Sequence, residues 1–178
     1  MSRLKRFLAT IILLLLFVPV ANAFDWARHV NTERFKQLDR NYDWVVYFDM
    51  KTVKFKLDEE GKPVKHVIDV WQRHYYVSDR NKANIFTELK KYGRASEKDL
   101  PAYEMYHCVY NLQNRTMKPI QRIIYSENGN VLFNTNFKQE AIVIVPDTEP
   151  EIWLDGVVDY VLNNSEQVSK NTRLIFSE

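Results

Sequence analysis

Cysteine occurs once in the 178 residues, at position 108, so no disulfide can form within the chain. Its stability must therefore come from buried apolar surface. Glycine is nearly as scarce. Gly61, Gly93, Gly129 and Gly156 stand too far apart for a glycine-rich phosphate loop, which excludes the dinucleotide and nucleoside-triphosphate motifs. The four histidines, His29, His66, His74 and His107, form no close pair, and no His-Glu-x-x-His pattern occurs. His66 and His74 would stand about 26 Å apart along an extended strand, too far to share a metal. No Gly-x-Ser-x-Gly elbow marks an activated serine. After the first 23 residues there is no apolar run long enough to span a bilayer.

The apolar run that does exist lies at the start. Arg3, Lys5 and Arg6 precede Phe7 to Val18, Pro19 ends the run, and Ala21-Asn22-Ala23 supplies small residues. This is the layout of a secretory signal peptide over residues 1–23, with cleavage expected between Ala23 and Phe24. The run falls short of the roughly 20 residues a spanning helix needs, so an uncleaved anchor is the lesser reading. Residues 24–178 would then form one exported domain, large enough to bury roughly 70% of its unfolded surface. The leader takes three of the 25 basic residues and none of the 23 acidic ones, leaving a net charge of −1. Such a balance gives no electrostatic footprint for nucleic acid and no polybasic patch for anionic lipid. The lysines between 51 and 65 are interleaved with Asp49, Asp58, Glu59 and Glu60, which fits a solvated sheet face.

All four tryptophans, all ten tyrosines and eight of the ten phenylalanines follow residue 23, a loading that favours half-buried strands. Trp44 to Asp49 reads as a strand, and Thr52 to Asp58 alternates with Val53, Phe55 and Leu57 on one side. Asp58 to Lys62 is turn chemistry, leading into a long strand from Val64 to Val77. In that strand Val64, Ile68 and Val70 share one parity while Trp71, Tyr75 and Val77 share the other. A bulge or bend near Val70-Trp71 is expected, and with it a coiled, partly barrel-like sheet. Residues 79–92 carry helical spacing, closed by Lys90, Lys91 and Gly93. Strands are expected near 102–112, 116–125 and 130–136, with a type I′ turn at Asn128-Gly129. Ala141 to Val145 reads as a short buried run. A last helix opens at Thr148, with Pro150 in its first turn and Glu151 completing a capping box. Trp153, Val157, Tyr160 and Val161 line its inner face, and Asn163-Asn164 ends it. The expected fold is α+β: a curved, mainly antiparallel sheet of about six strands, one internal helix and a C-terminal helix.

Candidate chemistry is sparse. His107 and Cys108 are neighbours on a strand and so face opposite ways, which prevents a catalytic pair. Cys108 shares parity with Tyr106, Tyr110 and Leu112 and reads as a buried small hydrophobe. Asp155 and Asp159 stand at i and i+4 on the last helix, where a solvated face explains them better than a carboxylate pair. Asn114-Arg115-Thr116 and Asn163-Asn164-Ser165 fit the glycosylation triplet. No catalytic, cofactor-binding or metal-ligating residue is assigned, and no cofactor is expected.

In order and spacing, Trp44-Val45-Val46-Tyr47-Phe48-Asp49, Val70-Trp71, Ile123-Ile124-Tyr125 with Asn128-Gly129, and Ile144-Val145-Pro146-Asp147-Thr148 with Glu151-Ile152 resemble landmarks of the surface-adhesin protein E family. The resemblance covers most of residues 44–162. It implies an α+β exported domain and, in the best-known members, binding of host matrix proteins at the bacterial surface. The chain departs from that pattern in two ways. Family members can carry cysteines that pair, whereas Cys108 stands alone, and residues 24–43 make a longer approach to the first aromatic strand.

The function expected is a non-enzymatic exported binding module, periplasmic or at the cell surface, whose partner is a protein of the host matrix or the envelope. Nucleic acid and stable membrane insertion after cleavage are not expected. The alternative is a periplasmic structural or assembly component, and an unrecognised hydrolase is the least favoured reading.

Overall fold

The computed structural model describes residues 30–173. The leader expected over 1–23, its cleavage site at Ala23 and Phe24, and also Trp26 and His29, lie outside the described residues. Eight strands follow: β1 (Phe35–Arg40), β2 (Trp44–Asp49), β3 (Lys54–Leu57), β4 (Pro63–Tyr76), β5 (Pro101–Asn111), β6 (Thr116–Ser126), β7 (Val131–Asn136) and β8 (Ile142–Val143). Three helices are interspersed: α1 (Asp79–Lys91) between β4 and β5, then α2 (Glu149–Asn163) and α3 (Ser165–Arg173) after β8. The sheet runs β1-β2-β4-β5-β6-β7, with β3 added beside the first half of β4 and β8 beside the start of β6. Every pairing is antiparallel. The α+β class and the antiparallel sheet agree with the sequence reading. The sheet is open, however, and has two strands more than expected and one helix more.

Each added element is short of apolar signal. In β1 only Phe35 is buried, and the strand forms because its backbone completes the free edge of β2. β8 has both residues exposed and is held by pairing with Thr116 and Met117. Of the run Ala141 to Val145, only Ile144 is buried, because the segment lies along an edge instead of inside the core. Helix α3 is polar apart from Val168, which shares the buried inner face with Thr172 four residues on. The Thr172 hydroxyl accepts from the Phe55 amide at 2.9 Å, and Asn171 Nδ2 donates to the Val53 carbonyl at 2.9 Å, tying α3 to the β3 region.

The long strand differs from expectation in an instructive way. β4 holds unbroken register with β5 from Val67 to Tyr75, and with β2 from Gln72 to Tyr76. There is no bulge at Val70-Trp71; the irregularity falls lower, where Phe55 pairs Ile68 and Lys56 pairs Val64. The buried face continues through Ile68, Val70, Gln72, His74 and Tyr76, so its period is unbroken and only its chemistry changes. Tyr75 is buried on the opposite face, where it packs with Val30, Phe35, Val45 and Tyr47.

Two turns also depart from the expected chemistry. Gly129 takes φ 79°, whereas Asn128 does not have positive φ, so no type I′ turn forms. Instead the Gly129 amide donates to the Ser126 carbonyl at 3.0 Å and the Ser126 amide to Asn130 at 2.9 Å, closing a three-residue loop. Thr148 stands at the helix cap with extended φ and ψ, but its hydroxyl donates to the Val145 carbonyl at 2.6 Å. Glu151 accepts from the Asp147 amide at 2.8 Å and pairs with Arg115, so no capping box forms.

One face of the sheet is covered by helices. Trp153, Leu154, Val157, Tyr160 and Val161 of α2 and Val168 of α3 join Val46, Phe48, Val53, Phe55, Ile68, Val70, Cys108, Tyr110 and Met117 in the main core. Gly156 lets α2 approach β1 closely, since a Cβ there would meet Leu38 Cδ2 at 2.4 Å. Helix α1 covers the far end of the same face, where Leu89 packs with Tyr76 and Ile124. Ser78 caps α1, accepting from the Asn81 amide at 3.1 Å and donating to Asp43 at 2.6 Å. Among the described residues no helix is long and apolar enough to cross a membrane.

Candidate functional site

Where the apolar cover ends on β4, the covered face holds a cleft of about 280 Å3. Gln72 and His74 of β4, Glu104, Tyr106 and Cys108 of β5, and Met117 and Pro119 of β6 line it from the sheet. Trp44 and Trp153 close one side, and Phe137 and Gln139, on the connection from β7 to β8, close another together with Ile142 of β8. Register explains the grouping: His74 stands opposite Glu104, Gln72 opposite Tyr106, and Val46 and Phe48 flank them on β2.

His74 is the centre of this arrangement. Its ring lies 5.0 Å from Trp153, 6.2 Å from Trp44 and 5.0 Å from Tyr106, with both indoles edge-on. Burial, reinforced by the Arg122 charge, lowers its pKa to about 3, so the imidazole is neutral. Gln72 Nε2 donates to the Tyr110 hydroxyl at 2.8 Å, which leaves the Gln72 carbonyl facing His74 Nε2 at 3.4 Å. Nε2 therefore carries the ring proton and Nδ1 presents a lone pair. Cys108 also reaches the Gln72 carbonyl, at 3.9 Å, and burial pushes its thiol up to about 12.

Behind the cleft lies a buried ionic chain. Glu104 accepts from Tyr76 at 2.8 Å and from Arg122 Nε at 2.7 Å, and Arg122 reaches Glu88 on α1 at 2.7 Å. Burial raises the Glu104 pKa, opposed chiefly by the Arg122 charge. Burial also raises that of Tyr106, which keeps its hydroxyl protonated. Two polar atoms remain unmatched: Nε1 of Trp44 and Nε1 of Trp153 are enclosed with no acceptor. An enclosed donor left so costs about 1–3 kcal/mol. The half-buried Tyr106 and the His74 ring both line the cleft.

The remaining candidates are scattered. His107 faces away from Cys108, its Nε2 donating to the Asp69 carboxylate at 2.8 Å and its ring stacking on Trp71 on the other side of the sheet. That side also carries a ladder of tyrosines, Tyr47, Tyr75, Tyr103 and Tyr125, across four strands. His66 is exposed on β4, and Asp155 and Asp159 lie on the exposed face of α2, Asp159 pairing with Lys36 at 3.1 Å. Among the described residues no three His, Cys, Asp or Glu side chains are placed to hold a metal ion. Two larger hollows, about 730 and 380 Å3, run along α3 and are lined mostly by exposed polar side chains, without a buried polar group. The sequence reading identified Trp153 and Cys108 only as core, and did not mark Gln72, His74, Glu104 or Tyr106 as a group. The signal that finds them is parity: Gln72 and His74 continue the buried side of β4, and Glu104 that of β5.

No protein-family model matches the chain, and no curated protein matches it. Among solved structures it is similar to protein E from non-typeable Haemophilus influenzae, at 14% identity and a TM-score of 0.43, covering 81% of this chain and 88% of that one. This is a weak structural likeness and no more; the fold and the cleft stand on the geometry above.

Proposed function

We propose that this chain is an exported, non-enzymatic binding module whose partner is a protein. The observation that carries the reading is an apolar strip beside a free sheet edge. Ile142, Val143, Val145 and Ile152 are 43%, 70%, 56% and 48% exposed. They lie on β8 and the segment that leads from it into α2. Among the described residues β8 pairs with β6 on one side and with no strand on the other. An edge that offers backbone donors and acceptors next to apolar side chains suits the addition of an extended segment from a partner.

The non-enzymatic part of the reading rests on the state of the groups that could do chemistry. His74, its pKa lowered to about 3, is too weak a base to take a proton near neutrality, burial holds the Cys108 thiol protonated, and His107 points to the opposite face. Export rests on the leader read in the sequence. Adhesion to host or matrix proteins, implied by the resemblance, is the finer form of the proposal. A role in envelope assembly is favoured only if the same edge pairs with another copy.

The test is binding of the purified chain to immobilised matrix proteins and to envelope extract, alongside Val143→Lys. Binding that Val143→Lys abolishes supports the reading. Binding indifferent to it moves the interface elsewhere, and concentration-dependent self-association that it abolishes transfers the edge to assembly. Protease shaving of intact cells, with a periplasmic control, then decides between surface and periplasm.

A further inference from the structure

We propose that the cleft beside His74 is a binding site for one ring of an uncharged, hydroxyl-bearing ligand, the chemistry of a neutral sugar. This site adjoins the protein-binding edge, sharing only Ile142 with it, and is tested independently of it. At about 280 Å3 the cleft lies at the small end of ligand sites, which admits one ring and excludes larger molecules.

The polar groups around it define the ligand. His74 Nδ1 offers a lone pair and the protonated Tyr106 hydroxyl offers a donor, both on side chains that line the cleft. Groups that both donate and accept satisfy the two together, and hydroxyls do so without charge. Behind the cleft Arg122 is held between Glu104 and Glu88, one cation between two carboxylates, which leaves the group net negative. A ligand anion would face Glu104 across a poorly solvated space, and a ligand cation would have to shed its water to enter. Both are disfavoured, and a neutral ligand pays neither cost.

The walls complete the argument. Trp44, Trp153, Tyr106 and Phe137 give aromatic surface suited to the C–H faces of a ring. The enclosed indole N–H groups of Trp44 and Trp153 have no acceptor in the free site. A ligand oxygen that turns either indole edge slightly outward gains a hydrogen bond the free protein does not make, which favours occupancy over closure.

The experiment follows the indole N–H resonances of the purified chain by NMR during titration. The neutral probes are methyl glucoside, methyl galactoside and N-acetylglucosamine; glucuronate and glucosamine are the charged controls. Trp44→Phe, Trp71→Phe and Trp153→Phe assign three of the four indole signals. The expected result is a saturable shift of the Trp44 and Trp153 signals with at least one neutral probe, and none of the Trp71 signal on the opposite face. Tyr106→Phe, which removes only the hydroxyl, should weaken that binding about tenfold, the worth of one hydrogen bond near 1.4 kcal/mol. Charged controls should bind at least about tenfold more weakly. No saturable shift with any neutral probe overturns the proposal, as does a shift confined to Trp71 or tighter binding of a charged control. A glycan array read with the same variant separates a free monosaccharide from the terminal residue of a longer glycan. Retained binding of immobilised glycans assigns the site to glycan ends, and binding of the soluble probes alone assigns it to free sugars.

Discussion

One strand, β4, shows two ways of covering the same face of a sheet. At Ile68 and Val70 the cover is apolar and dense, supplied by Trp153, Leu154, Val157, Tyr160 and Val161 of α2 together with Val168 of α3. Four residues further along, the side chains beneath are Gln72 and His74, and α1 covers the end with Leu89 as its one fully enclosed apolar residue. There α1 is held to the sheet by charge, through Glu88, Arg122 and Glu104, as much as by packing. Both ends exclude water, but they do so at different cost. The apolar end gains from every methylene it encloses, whereas the polar end must match each buried donor, acceptor and charge. The cleft lies where the two regimes meet, and its unmatched indole donors are the residue of that mismatch.

The sharpest way to break the comparison is to remove the counter-charge at the polar end. Arg122→Met leaves Glu104 enclosed without its cation and is expected to cost about 3–5 kcal/mol in urea unfolding. Adding Glu104→Gln should recover a large part of that loss, because the penalty belongs to the stranded carboxylate. Next in size, Leu154→Ala at the apolar end should cost about 2–5 kcal/mol by the same measurement, with no partner substitution able to rescue it. Equal rescue at both ends would erase the distinction.

Acidity should separate the ends further. The folded pKa of His74 is depressed to about 3, so its neutral state contributes stability that is fully present above the unfolded value near 6.5. That contribution is lost as pH falls through the interval down to about 3, at no more than about 1.4 kcal/mol per pH unit. Glu104 works in the opposite sense, since a raised pKa favours folding at low pH and that support fades as pH rises through its folded value. Comparing the parent with His74→Phe isolates the histidine: the variant should lose less stability between pH 6 and pH 4. The smallest effect on folding is expected at the exposed edge. Val143→Lys should change stability by no more than about 0.5 kcal/mol while removing partner binding.

Much of this architecture was legible in the sequence, for a physical reason. β2 announces itself as a continuous apolar and aromatic run, and α1 and the inner face of α2 with Trp153, Val157, Tyr160 and Val161 do so because apolar side chains recur at the helical period. β1, β8 and α3 do not, since edge pairing and two buried side chains hold them, and neither leaves a periodic apolar trace. The cleft was missed for a related reason. The eye follows apolar residues, so the switch from Val70 to Gln72 and His74 looked like a change of face. It was a change of chemistry on one face. Parity in β4 and β5 carried the information, but only the register of the two strands shows that His74 and Glu104 are opposite each other.

The measurement closest to the centre of this account is the titration of the His74 imidazole by nitrogen-15 NMR. A neutral ring protonated at Nε2 is expected to persist as pH is lowered to about 4, well below the ordinary histidine value near 6.5. Protonation of His74 near pH 6.5 would contradict it, because a ring that charges so readily faces water and not the enclosed space between Trp44 and Trp153.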